Sequence, residues 1–414
     1  MKNKIIKYVP FVLIILTLAS IAGVTCYAFF DKKTVSKSEQ RELASIPELS
    51  VSSWKDNSFQ QGMEAYVGDH VWNRDKFISL GKKVEDYMRL PGKTLILKDI
   101  TQENTGKNKN EVIALDDRIV PMYSHNDENL VFFYESCSLL FNSIPKGINK
   151  YFLIPPGRIE YEEEDIKAMS GSSEYDAAIV YENMDKSVTC VPVHDAVRKG
   201  VEENSIDKIF YRTDHHWSQL GAYYAARELL KAADKKVVNL DDYECRQGYD
   251  FQGYLTVKYS KEGTIPDDQL YYYMPKDGTE CYETVYWNNT ETGENEVHEN
   301  EKVVDYMRGG YYTFVEKTQF SYTVIDGKKN DGSSLLIVTD SFGLALTTWL
   351  TEEFDTIVVV DPRYFENADL KFSELFTQYN ITDFLLCLQA EEMSVDVFNI
   401  KMLDSLLGIQ SPKK

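Results

Sequence analysis

The sequence contains few cysteines and fewer basic than acidic residues, and each shortage argues against a class of protein. It has 6 cysteines in 414 residues, and 45 Lys and Arg against 66 Asp and Glu, which gives a net charge of −21. Nucleic-acid binding relies on Lys and Arg that neutralise phosphates, so this charge argues against it. The five cysteines after Cys26 are widely spaced, so they predict no disulfide framework, although one disulfide would fit. The charge instead favours a soluble, self-repelling surface, or a neutral or cationic partner.

Charged side chains are also missing from Tyr8 to Phe30, a run of 23 residues preceded by three lysines. At about 1.5 Å per residue, a helix of this length crosses the roughly 30 Å hydrocarbon layer of a membrane. A cleaved signal peptide is the alternative, but no clean small-x-small cleavage site follows the run. We therefore predict that residues 1–30 form a cytoplasmic tail and an uncleaved single-pass anchor in the cell membrane. The bulk of the chain would then lie outside the cytoplasm.

The rest of the chain changes character near residue 90. Residues 31–90 indicate a stalk and a membrane-proximal helical segment, because apolar residues follow helical spacing from Phe59 to Val84. Residues 91–414 alternate strands with helices, a pattern that calls for a parallel sheet covered on both faces. The predicted strands of that sheet include Tyr151 to Pro155, Ser187 to Val193, Ser334 to Val338, Thr356 to Val360 and Phe384 to Leu388.

One stretch, Asp241 to Lys329, interrupts this alternation. It is rich in Tyr, Gly, Asp and Glu, and its turn signals and alternating segments predict a mostly β insertion. Thr284 to Trp287 and Tyr311 to Phe314 are its clearest predicted strands. Aromatic and polar side chains suit sugar recognition, although aromatic-rich ribbons are more often simply packing.

The most informative stretch is residues 208–224, where a predicted strand, Ile209 to Tyr211, leads through a polar corner to a helix that begins near Ser218. Asp214 and His216 are two residues apart in that corner. In an extended segment, such residues point to the same side, so the carboxylate can hydrogen-bond the imidazole. This is the Asp–His half of a nucleophilic triad, and His215 would face the other way.

Ser341 is the best candidate for the nucleophile. It follows a predicted buried strand and opens a helix, and open α/β sheets place their sites at the carboxyl ends of their strands. The backbone N–H groups of Ser341 and of its successors Phe342 and Gly343 would be helix-start donors that could stabilise an oxyanion. Taken alone, the motif also fits an ordinary helix cap.

Together, Asp214-His-His-Trp217 and Thr339-Asp-Ser-Phe342 resemble the SGNH-hydrolase-like family named after its Asp-His-His-Trp (DHHW) motif, which is related to bacterial alginate O-acetyltransferases. The segments 38–44, 66–74 and 361–364 resemble further parts of that family. The resemblance implies an SGNH-hydrolase-like, flavodoxin-like parallel sheet with helices on both faces. It also implies Ser341 as nucleophile, His216 as base and Asp214 as orienting acid. Arg363 and Tyr364 are candidates for binding substrate or an oxyanion.

Two other interpretations of the motif stay open. Asp214, His215 and His216 could be metal ligands, but the Asp-x-Asp element that such phosphoesterases need after an apolar strand is missing from the sequence. A non-catalytic envelope scaffold that binds glycan is the second, and the complete Ser, His and Asp set argues against it.

We therefore predict a membrane-anchored, extracytoplasmic enzyme that transfers O-acyl groups, acetyl being the expected one, to a bacterial cell-envelope polysaccharide. A carbohydrate O-acetyl esterase of the same fold is the alternative. A multi-span membrane O-acyltransferase would be the partner that delivers the acyl group. We expect neither a cofactor nor a metal.

Overall fold

The computed structural model describes residues 29–30, 35–36, 41–47, 49–55, 58–71, 95–98, 111–259, 261, 263–289, 294–315, 320–365, 368 and 370–409. The predicted membrane anchor, Tyr8 to Phe30, lies outside these residues except for its last two. Among the residues that are described, no helix is both long enough and apolar enough to span a bilayer.

The chain divides into two compact units, residues 1–93 and residues 94–414. The described part of the first contains a short antiparallel pair, β1 (Val35–Ser36) and β2 (Arg41–Glu42), and two helices, α1 (Val51–Lys55) and α2 (Ser58–Asp69). Helix α2 begins one residue before the predicted helix, and the remainder of that predicted helix, up to Val84, lies almost entirely outside the described residues. The end of α2 is tied to the preceding segment, because the Ala44 N–H donates to Asp69 Oδ2 at 2.8 Å.

The largest sheet of the second unit, as far as the chain is described, has eight strands. From edge to edge they are β11 (Glu294–Lys302), β10 (Tyr282–Asn289), β12 (Phe320–Asp326), β14 (Thr356–Val360), β13 (Ser334–Thr339), β15 (Asp383–Cys387), β6 (Asn149–Leu153) and β7 (Val188–Cys190). The strands from β14 to β7 run parallel, as predicted. Strand β12 pairs antiparallel with β14, β10 with β12 and β11 with β10, so the sheet is mixed rather than purely parallel. The insertion thereby supplies hydrogen-bond partners to an edge of β14 that would otherwise be unpaired.

Helices cover both faces of this sheet. All six residues of β13 are buried, as expected of a strand covered on both sides. Its successive side chains enter two different cores: Leu335 and Ile337 one, Leu336 and Val338 the other. The helices and helical turns are α3 (Asp127–Ser143), α4 (Glu164–Lys167), α5 (Ser173–Glu182), α6 (His194–Asn204), α7 (Ile206–Ile209), α8 (Gln219–Ala232), α9 (Tyr254–Lys258), α10 (Phe342–Thr347), α11 (Pro362–Phe365), α12 (Phe372–Gln378) and α13 (Val397–Leu407).

The insertion is mostly β, as predicted. Besides β10, β11 and β12 it contains the antiparallel pair β8 (Tyr243–Phe251) and β9 (Asp268–Pro275). A separate antiparallel sheet before α3 is formed by β3 (Leu95–Lys98), β4 (Glu111–Ala114) and β5 (Ile119–Pro121).

Two predicted strands are wrong. Residues Tyr311 to Phe314 fall largely in a 3-10 turn, Gly310–Thr313, because Gly309 and Gly310 take positive φ angles of 78° and 53° that turn the chain. Ile209 to Tyr211 is not a strand either: α7 ends at Ile209, and Phe210 makes a single antiparallel bridge with Trp217. The polar corner that follows is therefore held by side chains rather than by a strand ladder.

Candidate active site

Ser341 lies at the carboxyl end of β13, immediately before α10. The neighbouring Asp340, and not Ser341, caps this helix, since its Oδ1 accepts the Phe342 N–H at 2.8 Å. Its Oδ2 accepts the Gln389 N–H at 2.6 Å, which ties the end of β13 to the segment after β15. Burial raises the pKa of Asp340 to about 7, although both N–H donors favour the ionised form. The ordinary-cap interpretation thus applies to Asp340, and the Ser341 hydroxyl is directed elsewhere.

The Ser341 hydroxyl meets His216. Its Oγ lies 2.6 Å from His216 Nε2, and His216 Nδ1 lies 2.6 Å from Asp214 Oδ1. All three residues are buried, with Ser341 8% exposed, although 125 residues separate the serine from the histidine. The structure thus brings together the three side chains that the sequence singled out, at ordinary hydrogen-bond distances.

The reason that Asp214 and His216 meet differs from the predicted one. The corner is a series of bends rather than an extended strand. Asp214 Oδ1 also accepts the backbone N–H of His216 at 3.0 Å. This side-chain-to-backbone bond forms a local turn that places the imidazole beside the carboxylate. The helix that follows begins as predicted, with the Ser218 hydroxyl accepting the Gly221 N–H at 3.1 Å.

Asp214 is held as an anion that accepts hydrogen bonds. Burial by itself would raise the pKa of Asp214, but the charge and the hydrogen bond of His216 and the charge of His215 hold it well below its ordinary value. The backbone N–H of Tyr254 donates to the second oxygen, Oδ2, at 3.0 Å. Beside an ionised Asp214, the neutral imidazole of His216 carries its proton on Nδ1, which leaves Nε2 as the acceptor for the Ser341 proton.

The prediction that His215 faces away from the site is wrong. The His215 ring centroid lies 3.9 Å from that of His216, and its Nδ1 lies 3.5 Å from Asp214 Oδ1. Its side chain is nevertheless 25% exposed, whereas that of His216 is 5% exposed. The bent corner places both imidazoles on one side of Asp214, and only that of His216 reaches Ser341 in the hydrogen bonds described above.

The inserted segment supplies a tyrosine that the sequence analysis assigned to a ribbon. The Tyr311 ring stacks on the His216 imidazole, with centroids 3.8 Å apart and planes 5° from parallel. Its hydroxyl donates to the Ser341 carbonyl at 2.9 Å and lies 3.2 Å from the Phe342 carbonyl. Tyr311 therefore contacts the imidazole and the segment that carries the nucleophile at the same time. In the sequence, only the Gly309-Gly310 pair hints at this position of Tyr311. The pair predicts a sharp turn but does not indicate which residues the turn brings together.

The insertion also holds the residues around Asp214. A Cβ on Gly253 would lie 2.4 Å from the Asp214 Cβ, so only glycine allows the segment to approach so closely. The Gly253 N–H donates to Thr213 Oγ1 at 2.8 Å. Buried Asp268 accepts the backbone N–H groups of Arg212 and Thr213 at 3.0 and 2.8 Å. These bonds satisfy buried polar groups of the corner, which has no sheet ladder to do so.

The predicted oxyanion donors are only partly available. The Phe342 N–H is used by Asp340, and the Gly343 N–H is directed at the Asp340 carbonyl at 3.3 Å. The Phe342 ring is fully buried and packs on His216 and Trp217. A Cβ on Gly343 would lie 2.1 Å from Thr339 Oγ1, so this glycine serves the packing of α10 on the strand end. Among the three amides, that of Ser341 is the one for which the described residues provide no hydrogen-bond acceptor.

Arg363 and Tyr364 lie just after β14, in α11. The Arg363 guanidinium forks onto Asp361, with Nε 2.9 Å from Oδ1 and Nη2 2.5 Å from Oδ2. Its charge is close enough to act on Asp340, whose pKa it lowers against the larger effect of burial. The hydrogen bonds of Arg363 thus go to Asp361 and not to the nucleophile, and a role in binding substrate stays a prediction for both residues.

The Asp214, His215 and His216 ligand atoms lie within 4.8 Å of one another, close enough in principle to share a cation. However, Asp214 Oδ1 already hydrogen-bonds His216 Nδ1, and His216 Nε2 already hydrogen-bonds Ser341 Oγ. The arrangement fits a proton relay from a hydroxyl better than a set of converging ligands.

Comparison with known proteins agrees with this fold. The sequence model of a family described as "DHHW protein" matches residues 101–360. A crystal structure of a DHHW family protein from Eubacterium siraeum is 22% identical, with a TM-score of 0.59, and the match covers 72% of this chain and 95% of that one. Bacillus cereus PatB1 with a sulfonyl adduct is 16% identical, with a TM-score of 0.54, over 70% of this chain and 97% of that one.

A weaker likeness is to the O-acetyltransferase domain of Pseudomonas putida AlgJ, which is 14% identical over 69% of this chain and 92% of that domain. Its TM-score is 0.38, at which the likeness supports no conclusion about fold or role. A search of curated protein sequences gives no match.

Proposed function

We propose that this chain, which belongs to the DHHW protein family, is a serine-dependent O-acyltransferase that modifies a cell-envelope polysaccharide. Its membership of the family, predicted from the Asp-His-His-Trp element, is confirmed by the match over residues 101–360. The observation that carries the proposed activity is the continuous relay from Ser341 Oγ through His216 to Asp214, with 2.6 Å at each step.

In the first half of the proposed reaction, His216 Nε2 takes the proton of Ser341 as Oγ attacks the carbonyl carbon of an acyl donor. The new C–O bond forms while the bond to the donor breaks, and the imidazolium returns the proton to the leaving group. Asp214 stabilises the imidazolium through Nδ1. The Ser341 N–H is the candidate donor to the oxyanion, and the product is an acyl-serine ester.

In the second half, a sugar hydroxyl takes the place of the leaving group. His216 Nε2 removes its proton, the sugar oxygen attacks the acyl-serine carbonyl, and the proton returns to Ser341 Oγ as the ester bond breaks. Water in the place of the sugar would make the same enzyme an esterase. The two reactions therefore differ only in which hydroxyl reaches the acyl-serine.

Two features support transfer over hydrolysis. The predicted anchor at Tyr8 to Phe30 would keep the site near the membrane, where a multi-span O-acyltransferase could deliver acetyl groups across it. The insertion packs against the triad through Tyr311 and the Tyr254 N–H, and could hold an acceptor and limit water. A hydrolase has less need of either feature.

A sulfonyl adduct of PatB1 is known, and sulfonyl reagents react with activated nucleophiles. This suggests a direct probe of Ser341. We expect a sulfonyl fluoride to label the full chain at Ser341, and Ser341→Ala to abolish the label. Intact-mass and peptide mass spectrometry would locate it, and absence of labelling at Ser341 would count against an activated serine.

The choice between transfer and hydrolysis needs a second measurement. The purified full chain is given an activated acetyl ester as donor and an oligosaccharide as acceptor, and acetylated sugar and free acetate are measured together. We expect acetylated sugar, and acetate release that slows as acceptor is added. Rapid acetate release that ignores the acceptor, with no acetylated sugar, would leave the esterase as the surviving function.

A further inference from the structure

Three exposed side chains of the insertion lie together at its surface: Tyr249 on β8, and Tyr306 and Met307 in the 3-10 turn Tyr306–Arg308. We call them the tyrosine platform. They are 57%, 39% and 64% exposed, which is high for large apolar side chains. The rings of Tyr249 and Tyr306 are 6.0 Å apart, and the Tyr249 hydroxyl lies 3.8 Å from Met307 Sδ.

The tyrosine platform is held from below. The Tyr306 ring stacks on Tyr272 of β9, with centroids 5.5 Å apart and planes 10° from parallel. Tyr272 is itself 8% exposed, so it fixes the orientation of Tyr306 from the buried side. A rigid, exposed aromatic surface offers contact area at little cost in conformational entropy, which is what a binding surface requires.

The tyrosine platform lies close to the triad along the chain of the insertion. Tyr306 and Tyr311 are five residues apart, which limits their Cα atoms to a separation of about 17–18 Å, and the Tyr311 ring stacks on His216. On the other strand, Tyr249 is two residues from Phe251, whose ring contacts that of Tyr211 at 5.1 Å. Tyr211 in turn lies 6.4 Å from Tyr311. Ring contacts therefore connect Phe251, which lies two residues from Tyr249, with the imidazole.

The chemistry around the tyrosine platform is polar and mixed in charge. Beside Tyr249 on β8, the Arg246 side chain pairs with Glu244 at 2.7 Å, and Gln247 hydrogen-bonds Gln269 at 2.6 Å. A sugar ring has flat C–H faces, which can stack on aromatic rings, and hydroxyl groups at its edge. These hydroxyls can hydrogen-bond amide and charged side chains such as those beside Tyr249. The net charge of −21 disfavours an anionic chain by like-charge repulsion.

We propose that the tyrosine platform is the subsite that binds a neutral glycan chain, and that it directs one end of that chain to the acyl-serine. The inference rests on the proposed function, since it names where the acceptor of that reaction lies. A peptide or protein partner is the competing occupant of an aromatic surface, and it would be favoured if neither neutral sugar binds in the test below.

The test measures binding apart from catalysis. The full chain carrying Ser341→Ala is titrated with cellohexaose and chitohexaose, both neutral, and with oligogalacturonate, which is anionic. We expect at least one neutral hexasaccharide to bind, and Tyr249→Ala with Tyr306→Ala to weaken that binding about tenfold or more. Tyr175→Ala, which removes a 67% exposed tyrosine on α5, should leave it unchanged.

Several outcomes overturn the proposal: no binding of either neutral sugar, equal binding to the double variant, or preference for oligogalacturonate. In protein that keeps Ser341, the substitutions Tyr249→Ala and Tyr306→Ala should not change sulfonyl labelling of the serine. If that labelling fails while Tyr-dependent sugar binding persists, the proposed catalysis is wrong and the glycan subsite stands. Because Tyr249 alone is the more exposed ring, Tyr249→Ala keeps the test valid should the double variant unfold.

Discussion

The parallel half of the main sheet and the inserted segment differ in burial, yet both contribute to the site. Strand β13 and helix α10, which flank Ser341, are completely buried, whereas β8 of the insertion has no buried residue. The buried half places the nucleophile. The exposed insertion places Tyr311 against the imidazole and donates the Tyr254 N–H to Asp214. An insertion with an exposed strand therefore positions the proposed base, and it does so through Tyr311, which is itself buried.

This difference has a mechanical consequence. The position of Ser341 follows from the parallel pairing of β13 with β14 and β15, which repeats hydrogen bonds along the strand. The position of His216 depends on a bent corner whose polar groups are satisfied one by one, several of them by the insertion. We therefore expect substitutions in the insertion to displace His216 more than Ser341. Substitutions of the triad residues themselves should lower activity more than substitutions in the insertion.

The largest expected effect comes from the triad. His216→Ala should lower acetyl transfer about a thousandfold or more, because Ser341 then loses its proton acceptor. His215→Ala should keep much of the activity, since that ring does not bridge Ser341 and Asp214. Initial rates with an activated acetyl ester measure both variants. The reverse order of the two would mean that His215 is the base.

A glycine of the insertion should have the next largest effect. In Gly253→Ala the new Cβ would lie 2.4 Å from the Asp214 Cβ and 2.6 Å from the Thr213 carbonyl oxygen, so the corner must move. A displacement of about 1 Å in a catalytic group costs on the order of a hundredfold in rate. Gly68→Ala, at a glycine with open space around it, is the matched control. A Gly253→Ala enzyme within twofold of the unmodified rate would show that the insertion does not position Asp214.

Tyr311 allows stacking and hydrogen bonding to be separated. Tyr311→Phe keeps the ring on His216 and loses the bonds to the two carbonyls, so we expect at most about a threefold loss of kcat. Tyr311→Leu also loses the stack and should lower kcat about tenfold with KM unchanged. Tyr322→Leu, which removes another buried tyrosine that stacks on a ring, controls for lost stability. Equal kcat values for the Phe and Leu variants would deny the stacked ring a positioning role.

The smallest effect concerns pH and lies in the α/β half. Burial and the charge of Asp340 raise the pKa of Glu392 to about 8, from an ordinary value of 4.5. A pKa raised in the folded state gives stability at low pH that is lost as the pH rises towards 8. We expect the free energy of unfolding to fall as the pH rises from about 4.5 to about 8, and Glu392→Gln to remove on the order of 1 kcal/mol of that fall.

Chemical denaturation at several pH values measures this slope. Glu244→Gln, at an exposed glutamate of the insertion, should leave it as in the unmodified protein. A slope that Glu392→Gln does not change would assign the pH dependence to other groups.

The sequence alone determined those features that depend on neighbours along the chain. Strand β14 runs from Thr356 to Val360, as predicted, because a short continuous run of β-branched residues favours a strand that is buried on both faces of a sheet. Asp214, His216 and Ser341 were identified because each lies in a short polar segment next to an apolar element. Even there, only their proximity was foreseen: the turn that joins Asp214 to His216 is not the predicted strand.

The tertiary structure decided what depends on contacts between distant segments. No local pattern marks Tyr311 as the ring over His216, or Asp268 as the acceptor for the corner, since both depend on how the insertion folds back. The antiparallel extension of the sheet has the same origin: β12 pairs with β14 because that edge needs hydrogen-bond partners, and the sequence does not say which strand will provide them. Local periodicity selects elements, whereas burial and hydrogen-bond satisfaction across the folded chain select their partners.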